Sequence, residues 1–179
     1  MPLVVGLLFS CGGKQEQKES LEGRIYQMEA DKGTGVQRMQ PSTSQGNAVI
    51  AGAEYHYKVH RSPCDSLKLV SDEQGTQFVD NVIELKILRN GNQKVLHKRF
   101  TKHFFAQQTG PDFMKNGILE GLVFDKVEEG RLCFAASVCY PQTDLFIPLS
   151  VRISPKGDIS VERISMMDEH PEQAEESLD

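Results

Sequence analysis

The chain has 179 residues, 39% of them hydrophobic, and a formal net charge of −5 at pH 7. This length and composition are those of an ordinary globular protein with one domain. The acidic balance gives no reason to expect a nucleic-acid partner.

The first eleven residues contain the most specific signal. The apolar stretch from Leu3 to Phe9 is seven residues long, whereas a membrane-spanning helix needs about 20 residues and a secretory hydrophobic region only about 7–15. The segment Leu8-Phe9-Ser10-Cys11 resembles the lipobox of bacterial lipoprotein signal peptides, although no Lys or Arg precedes the apolar run. The resemblance implies that residues 1–10 are a signal peptide and that Cys11 is the site of lipid attachment.

Cys11 would therefore anchor the protein to a membrane. Two or three acyl chains on one residue give a stable anchor, whereas a single chain does not. Gly12 follows the cysteine, and in Gram-negative lipoproteins this resembles cargo sent to the outer membrane, facing the periplasm or the cell surface. The alternative interpretation is a buried N-terminal strand that contains a free cysteine.

The chain divides into four parts. After the signal peptide, residues 11–33 are predicted to be the lipidated Cys11 and a flexible tether, because residues 12–20 contain no apolar side chain. Residues 34–165 are predicted to form a single β-rich domain. Residues 166–179 contain six acidic residues and no Lys or Arg, and are predicted to be a disordered tail.

Alternation of apolar and polar residues predicts strands throughout the domain. In residues 144–154, for example, Leu145, Ile147 and every second residue after them are apolar. Thr101 is a predicted helix N-cap, and Gly110-Pro111 ends that helix. The predicted strands are residues 49–59, 82–89, 93–100, 118–127, 131–140, 144–154 and 159–164.

Short connections between these strands favour antiparallel pairing. The predicted fold class is therefore mainly β (α+β): an antiparallel meander of about eight strands, forming a curled or barrel-like sheet, with one short helix inserted near the middle. Phe146 and Pro148 lie opposite the inward side chains of their strand and indicate a second apolar surface. Of the adjacent pair Phe104 and Phe105, only one is expected to be buried.

Several segments of the domain resemble one uncharacterised family of Gram-negative envelope lipoproteins, domain of unknown function 4738. The resemblance extends from Gly35 to Ile164 and also implies a lipobox, but it implies no activity. The segments that carry it are Val36-Gln37-Arg38-Met39-Gln40, Phe78-Val79-Asp80-Asn81, Phe100-Thr101-Lys102, residues 118–125 and residues 136–145.

No pattern in the sequence predicts a cofactor, a metal site or a catalytic residue. His56 and His60 would lie about 13 Å apart on a strand, too far to share one metal ion. No Gly-x-Ser-x-Gly motif occurs. Cys133 and Cys139 would lie about 20 Å apart on one strand, so only a disulfide from Cys64 to one of them, or no disulfide, remains open.

Two groups of charged residues are candidates for binding sites on the surface. Asp72 and Asp80 flank a predicted turn, where they would either bind a cation or only stabilise the turn. A basic cluster would either contact lipid or lipopolysaccharide phosphates or be a solvated surface that protects a sheet edge. The cluster contains Lys98, Arg99 and Lys102, with Lys94, His97 and His103 nearby.

The leading functional hypothesis is a non-enzymatic outer-membrane lipoprotein that binds a protein partner or a small ligand in the envelope. A second hypothesis is a structural or assembly factor of the envelope. A third is a carboxylate-dependent hydrolase of envelope or dietary polymer. Its candidate carboxylates are Asp72, Asp80, Glu120, Asp125 and Asp144.

Overall fold

The computed structural model describes residues 28–165, in which β-strands predominate. Three short helices lie between the eighth and ninth strands: a 3-10 helix (Lys102–Phe105), α1 (Ala106–Thr109) and α2 (Pro111–Asn116). The predicted fold class, mainly β with a helical insertion near the middle, is therefore confirmed. None of the described helices is long and apolar enough to cross a membrane. The strands are β1 (Met28–Ala30), β2 (Gln37–Met39), β3 (Ser42–Ile50), β4 (Ala53–Pro63), β5 (Val70–Ser71), β6 (Gln77–Phe78), β7 (Asn81–Arg89), β8 (Gln93–Phe100), β9 (Ile118–Glu128), β10 (Arg131–Cys139), β11 (Phe146–Ile153) and β12 (Ile159–Arg163).

These strands form three sheets of four strands each. The first large sheet has the order β3-β4-β7-β8 and the second β12-β11-β10-β9, and all neighbours in both are antiparallel. The small sheet has the order β1-β2-β6-β5 and contains one parallel pair, β2 with β6. Within residues 28–165 the strands therefore form separate sheets and not a closed barrel.

The two large sheets bury their apolar faces against each other. In β7, for instance, Ile83, Leu85 and Ile87 are fully buried, whereas the intervening Glu84 and Lys86 are not. Burying each such side chain contributes about 1.5–3 kcal/mol. The other large, fully buried members of this core are Tyr55, Phe100, Phe105, Phe134, Leu119, Leu132 and Leu149.

A glycine lets an aromatic side chain bridge the two large sheets. Tyr57 of β4 stacks on Phe124 of β9 with 4.6 Å between the ring centroids. Gly46 of β3 pairs with Tyr57, and a Cβ atom at Gly46 would contact the Tyr57 hydroxyl and lie 2.7 Å from its Cζ. The missing side chain therefore leaves the space that the Tyr57 ring fills.

The helical insertion covers one side of the core. Thr101 occupies the N-cap position of the 3-10 helix, but its side chain makes no capping hydrogen bond. Phe105 is buried and stacks on Phe100, whereas Phe104 is 39% exposed, so one of the two adjacent phenylalanines is buried, as expected. Gly110, with a φ of 81°, separates α1 from α2.

The small sheet covers the second apolar surface. Ile118 and Cys139 lie at one end of the second large sheet, opposite the main core, and pack with Phe78 of the small sheet. Phe146 packs against the same cluster. The apolar surface that Phe146 indicated is thus occupied by this chain itself.

Several predicted boundaries differ from the structure. The tether was expected to reach residue 33, but β1 pairs with β2 and therefore belongs to the fold. The predicted strand 49–59 is divided by a turn at Ala51-Gly52, where both φ values are positive, and β3 precedes this turn. Leu145 was expected in the core but lies before β11 and is 54% exposed. The predictions for residues 1–27, Cys11 among them, and for residues 166–179 fall outside the described residues.

Candidate functional site

A groove of about 840 Å³ lies between three connecting segments. They are the segment around β5, the end of α2 and the loop between β10 and β11. Leu69, Tyr140 and Leu145 give the groove an apolar part, and the lysines Lys68 and Lys115 lie along it. Its volume falls within the range of about 300–1,000 Å³ that is usual for small-molecule sites.

Local hydrogen bonds hold both walls of the groove. On one wall, Asp72 Oδ1 accepts hydrogen bonds from the backbone N–H groups of Gln74 (2.9 Å) and Thr76 (2.8 Å). On the other wall, the Tyr140 N–H donates to the Leu145 carbonyl (2.9 Å). Of the two roles predicted for Asp72, the structure therefore shows the turn-stabilising one.

A second, smaller cavity of about 130 Å³ lies beside the groove. The two cavities share Lys68, Leu69 and Lys115, so they are adjacent. Asp80 and Lys102 also line the smaller cavity. It is thus the place where two of the predicted candidate residues meet a concave surface.

Asp80 and Lys102 form a buried ion pair at this cavity. Only 2% of Asp80 and 5% of Lys102 is exposed, and Lys102 Nζ lies 3.4 Å from Asp80 Oδ2. Lys102 Nζ also donates a hydrogen bond to the Gly117 carbonyl (2.7 Å). The expectation that Asp80 and Lys102 are surface residues is wrong, because each neutralises the other inside the fold.

The pair joins elements that are distant in the sequence. Asp80 Oδ1 accepts hydrogen bonds from the N–H groups of Asn81 (2.8 Å) and Leu119 (2.9 Å). Asn81 Nδ2 in turn donates to the Leu119 carbonyl (2.9 Å) and contacts the Met39 sulfur (3.2 Å). The start of β7 is thereby fastened to β2, to β9 and, through Lys102, to the 3-10 helix.

The predicted basic cluster does not form one surface. Lys102 is buried, and Lys98 Nζ lies 5.0 Å from the centre of the Phe104 ring. Arg99 pairs with Glu84 across the strands, and its Nη2 donates to Cys64 Sγ (3.3 Å). Successive strand residues point to opposite faces, which separates Lys98 from Arg99.

The remaining polar candidates also have separate surroundings. Glu120 accepts a hydrogen bond from Ser137 Oγ (2.6 Å), while Asp125 and Asp144 are exposed. His56 and His60 bond to different residues of β3, Asn47 and Thr43 respectively. Within residues 28–165, no group of three or more His, Cys, Asp or Glu side chains is arranged to hold a metal ion.

Cys64 and Cys133 are free thiols in contrasting environments. The Ser66 hydroxyl, 3.2 Å from Cys64 Sγ, lowers the pKa of that thiol, and the charge of Arg99 adds to the effect. Burial raises the pKa of Cys133. No disulfide therefore joins Cys64 to either cysteine of β10.

Sequence reasoning missed the groove residues Lys68, Lys115 and Tyr140. Each lies in a different part of the chain, and only the folded chain brings the three parts together. The apolar residues Leu69 and Leu145 were the signal available in the sequence. The alternation of apolar and polar residues, however, predicted that Leu145 lies in the core.

A family model matches most of this chain. The model is described as Domain of unknown function (DUF4738) and matches residues 23–161, which include strands β1 to β11 and the first part of β12. No curated protein matches the chain.

Proposed function

Since this chain belongs to the DUF4738 family, whose description assigns it no role, we propose that it is a lipid-anchored envelope protein that binds a small ligand in the groove beside β5. The observation that carries the proposal is the groove itself. Its volume of about 840 Å³ suits a small molecule, and its lining combines exposed apolar side chains with amides, two lysines and the carboxylates of Asp72 and Glu73.

The anchor part of the proposal rests on the Leu8-Phe9-Ser10-Cys11 segment. A diacylated or triacylated Cys11 would hold the domain at the outer membrane. Mass spectrometry of the protein extracted from membranes tests this directly. We expect an N-terminal peptide that begins at Cys11 and carries acyl chains, and an unmodified Cys11 would contradict the anchor.

The binding part is tested by a ligand screen with two matched variants. Leu145, 54% exposed, lies in the groove, whereas Val49, 63% exposed, lies at the end of β3. Small molecules that bind are first identified by the ¹⁵N–¹H spectra of the full chain. We expect Leu145→Arg to weaken their binding by about tenfold or more, because a charged side chain would intrude on apolar contacts, while Val49→Arg leaves it unchanged.

Two results would refute groove binding. One is a screen without any compound that shifts the signals of Tyr140 and its neighbours. The other is a set of ligands whose affinity falls equally in both variants, since that would place them elsewhere on the surface.

A further inference from the structure

The smaller cavity collects positive charge in an acidic protein. Lys68, Lys102 and Lys115 line it together with a single acid, Asp80, while the whole chain has a net charge of −5. Within residues 28–165, neither Lys68 nor Lys115 takes part in an ion pair. The cavity therefore has an excess of two positive charges.

From this we infer that the smaller cavity binds the phosphate or sulfate group of the ligand whose remaining part lies in the groove. The inference rests on the proposed function and specifies its ligand class, an ester of a tetrahedral oxyanion. A phosphate monoester carries about 1.5–2 negative charges at pH 7, which complements the excess charge of the cavity.

Lys102 provides the fixed part of the site. An ammonium group has three N–H donors. The Gly117 carbonyl accepts one at 2.7 Å and Asp80 Oδ2 faces another at 3.4 Å, which leaves a third for an acceptor in the cavity. Asp80 is a positioning residue here, because it keeps the Lys102 charge compensated inside the fold when the cavity holds only water.

The number of lysines in the smaller cavity favours a tetrahedral oxyanion over a carboxylate. A carboxylate has two acceptor oxygens in one plane, whereas a phosphate monoester has three terminal acceptor oxygens, and three lysines line the smaller cavity. Each of the three terminal oxygens would therefore face a different ammonium group.

The volume of the smaller cavity suits a single oxyanion group and not a whole ligand. A volume of about 130 Å³ corresponds to roughly four water molecules, at about 30 Å³ for each water. That space holds one oxyanion. Because Lys68, Leu69 and Lys115 line both cavities, the group esterified to the oxyanion would extend into the groove.

The test is a titration of the full chain at constant ionic strength, followed by ¹⁵N–¹H spectra. The probes are methyl phosphate, methyl sulfate and acetate. We expect the two tetrahedral oxyanions to shift the signals of Lys68, Lys102 and Lys115, with acetate at least tenfold weaker. Equal shifts with all three probes, or none with any of them, would overturn the inference, and the stronger of the two esters identifies the oxyanion.

Two double variants locate the binding. Lys68→Gln with Lys115→Gln removes two charges from the cavity, and we expect it to weaken methyl phosphate binding by about tenfold or more, since each lost charge-assisted hydrogen bond has a large effect. The control, Lys58→Gln with Lys156→Gln, removes two exposed lysines elsewhere and should leave the affinity unchanged. Equal losses in both double variants would overturn the inference.

The outcomes separate this inference from the proposed function. Uncharged compounds that bind in the groove, without any response to the oxyanions, would leave the proposed function standing and the inference refuted. Oxyanion binding that depends on Lys68 and Lys115, without any groove ligand in the screen, would support the oxyanion site in the smaller cavity and refute the proposed binding in the groove.

Discussion

Two interior regions of this protein are held together by different forces. Between the large sheets, the core is apolar and continuous, with Phe134 and Leu149 among its fully buried side chains. Where β7 begins, the interior is polar, and the buried Asp80–Lys102 pair and Asn81 fasten the small sheet, β9 and the 3-10 helix together. Asp80 and Lys102 of the polar region line the smaller cavity, and the groove adjoins that cavity.

The comparison shows where this fold leaves room for binding. Apolar side chains attract one another without direction and pack to high density. Buried charges cost free energy unless each has its partner, so the polar region depends on a few exact contacts. In this protein the smaller cavity lies beside the Asp80–Lys102 pair, and the groove adjoins that cavity.

The largest effect is expected in the apolar core. Phe134 lies edge-to-face with Tyr57 and Phe124, at 5.6 Å between centroids in both cases. Phe134→Ala should lower the free energy of unfolding by about 3–5 kcal/mol, measured by urea denaturation. The control Val123→Ala, on the exposed face of the same sheet, should cost less than about 1 kcal/mol. Similar losses in both would contradict a tightly packed core.

The second-largest loss of stability is expected in the polar region. Asp80→Asn keeps an oxygen for the backbone N–H groups but leaves Lys102 without its counter-charge. We expect a loss of about 3 kcal/mol, near the lower end for a broken buried pair, because the small cavity admits water to Lys102. Adding Lys102→Met should recover much of the loss in urea denaturation, and the exposed control Asp144→Asn should change stability by less than about 0.5 kcal/mol. A double variant as unstable as the single one would show that charge is not the cause.

A smaller effect is expected where the two large sheets meet through Tyr57. Gly46→Ala places a Cβ atom against the Tyr57 ring, and such overpacking costs about 1–3 kcal/mol. Gly121 of β9 is the matched control, since a Cβ atom there would meet nothing within 4 Å. Thermal unfolding should show a lower Tm for Gly46→Ala only, and equal Tm changes would exclude the steric cause.

The smallest change concerns two thiols, Cys64 beside the polar region and Cys133 on β10 outside the apolar core. Cys64 lies next to the polar region, where its N–H donates to the Asp80 carbonyl (2.9 Å). Because Ser66 and Arg99 lower its pKa while burial raises that of Cys133, Cys64 should react with iodoacetamide at lower pH and faster. Ser66→Ala removes the hydroxyl and should move the pH midpoint of Cys64 labelling upward.

Peptide mass spectrometry of the labelled native protein resolves the two cysteines. Lys98→Gln is a suitable control, since Lys98 contacts Phe104 and not the thiol. If Cys133 reacted as fast as Cys64, the contrast between the two environments would be refuted.

Much of the fold could be predicted because long strands carry their own pattern. β8 was predicted over the residues that the structure shows, Gln93–Phe100, and β7 begins one residue before its predicted start. The small sheet was missed because strands of two or three residues show no periodicity. β3 was missed because its first residues, Ser42–Gln45, are polar and exposed.

The candidate site could be predicted only in part. Asp80 and Lys102 were recognised as notable residues, but the sequence could not show that they are buried together, because 21 positions separate them along the chain. Leu145 continued the alternation of β11, yet the Tyr140–Leu145 backbone hydrogen bond places it in the loop. The proposed roles of Cys11 and of the groove remain predictions for experiment.

The sequence by itself determined the class of this protein: a β-rich domain with a short helical insertion, in the family that its residues resemble. Alternation and turn residues act over a few positions, so they can be recognised without knowledge of the fold. Only the tertiary structure decided that Lys102 pairs with Asp80, that the small sheet covers Phe146, and that Lys68 and Lys115 line one cavity. Those contacts join distant segments, and their free energy depends on burial and distance, which no local pattern contains.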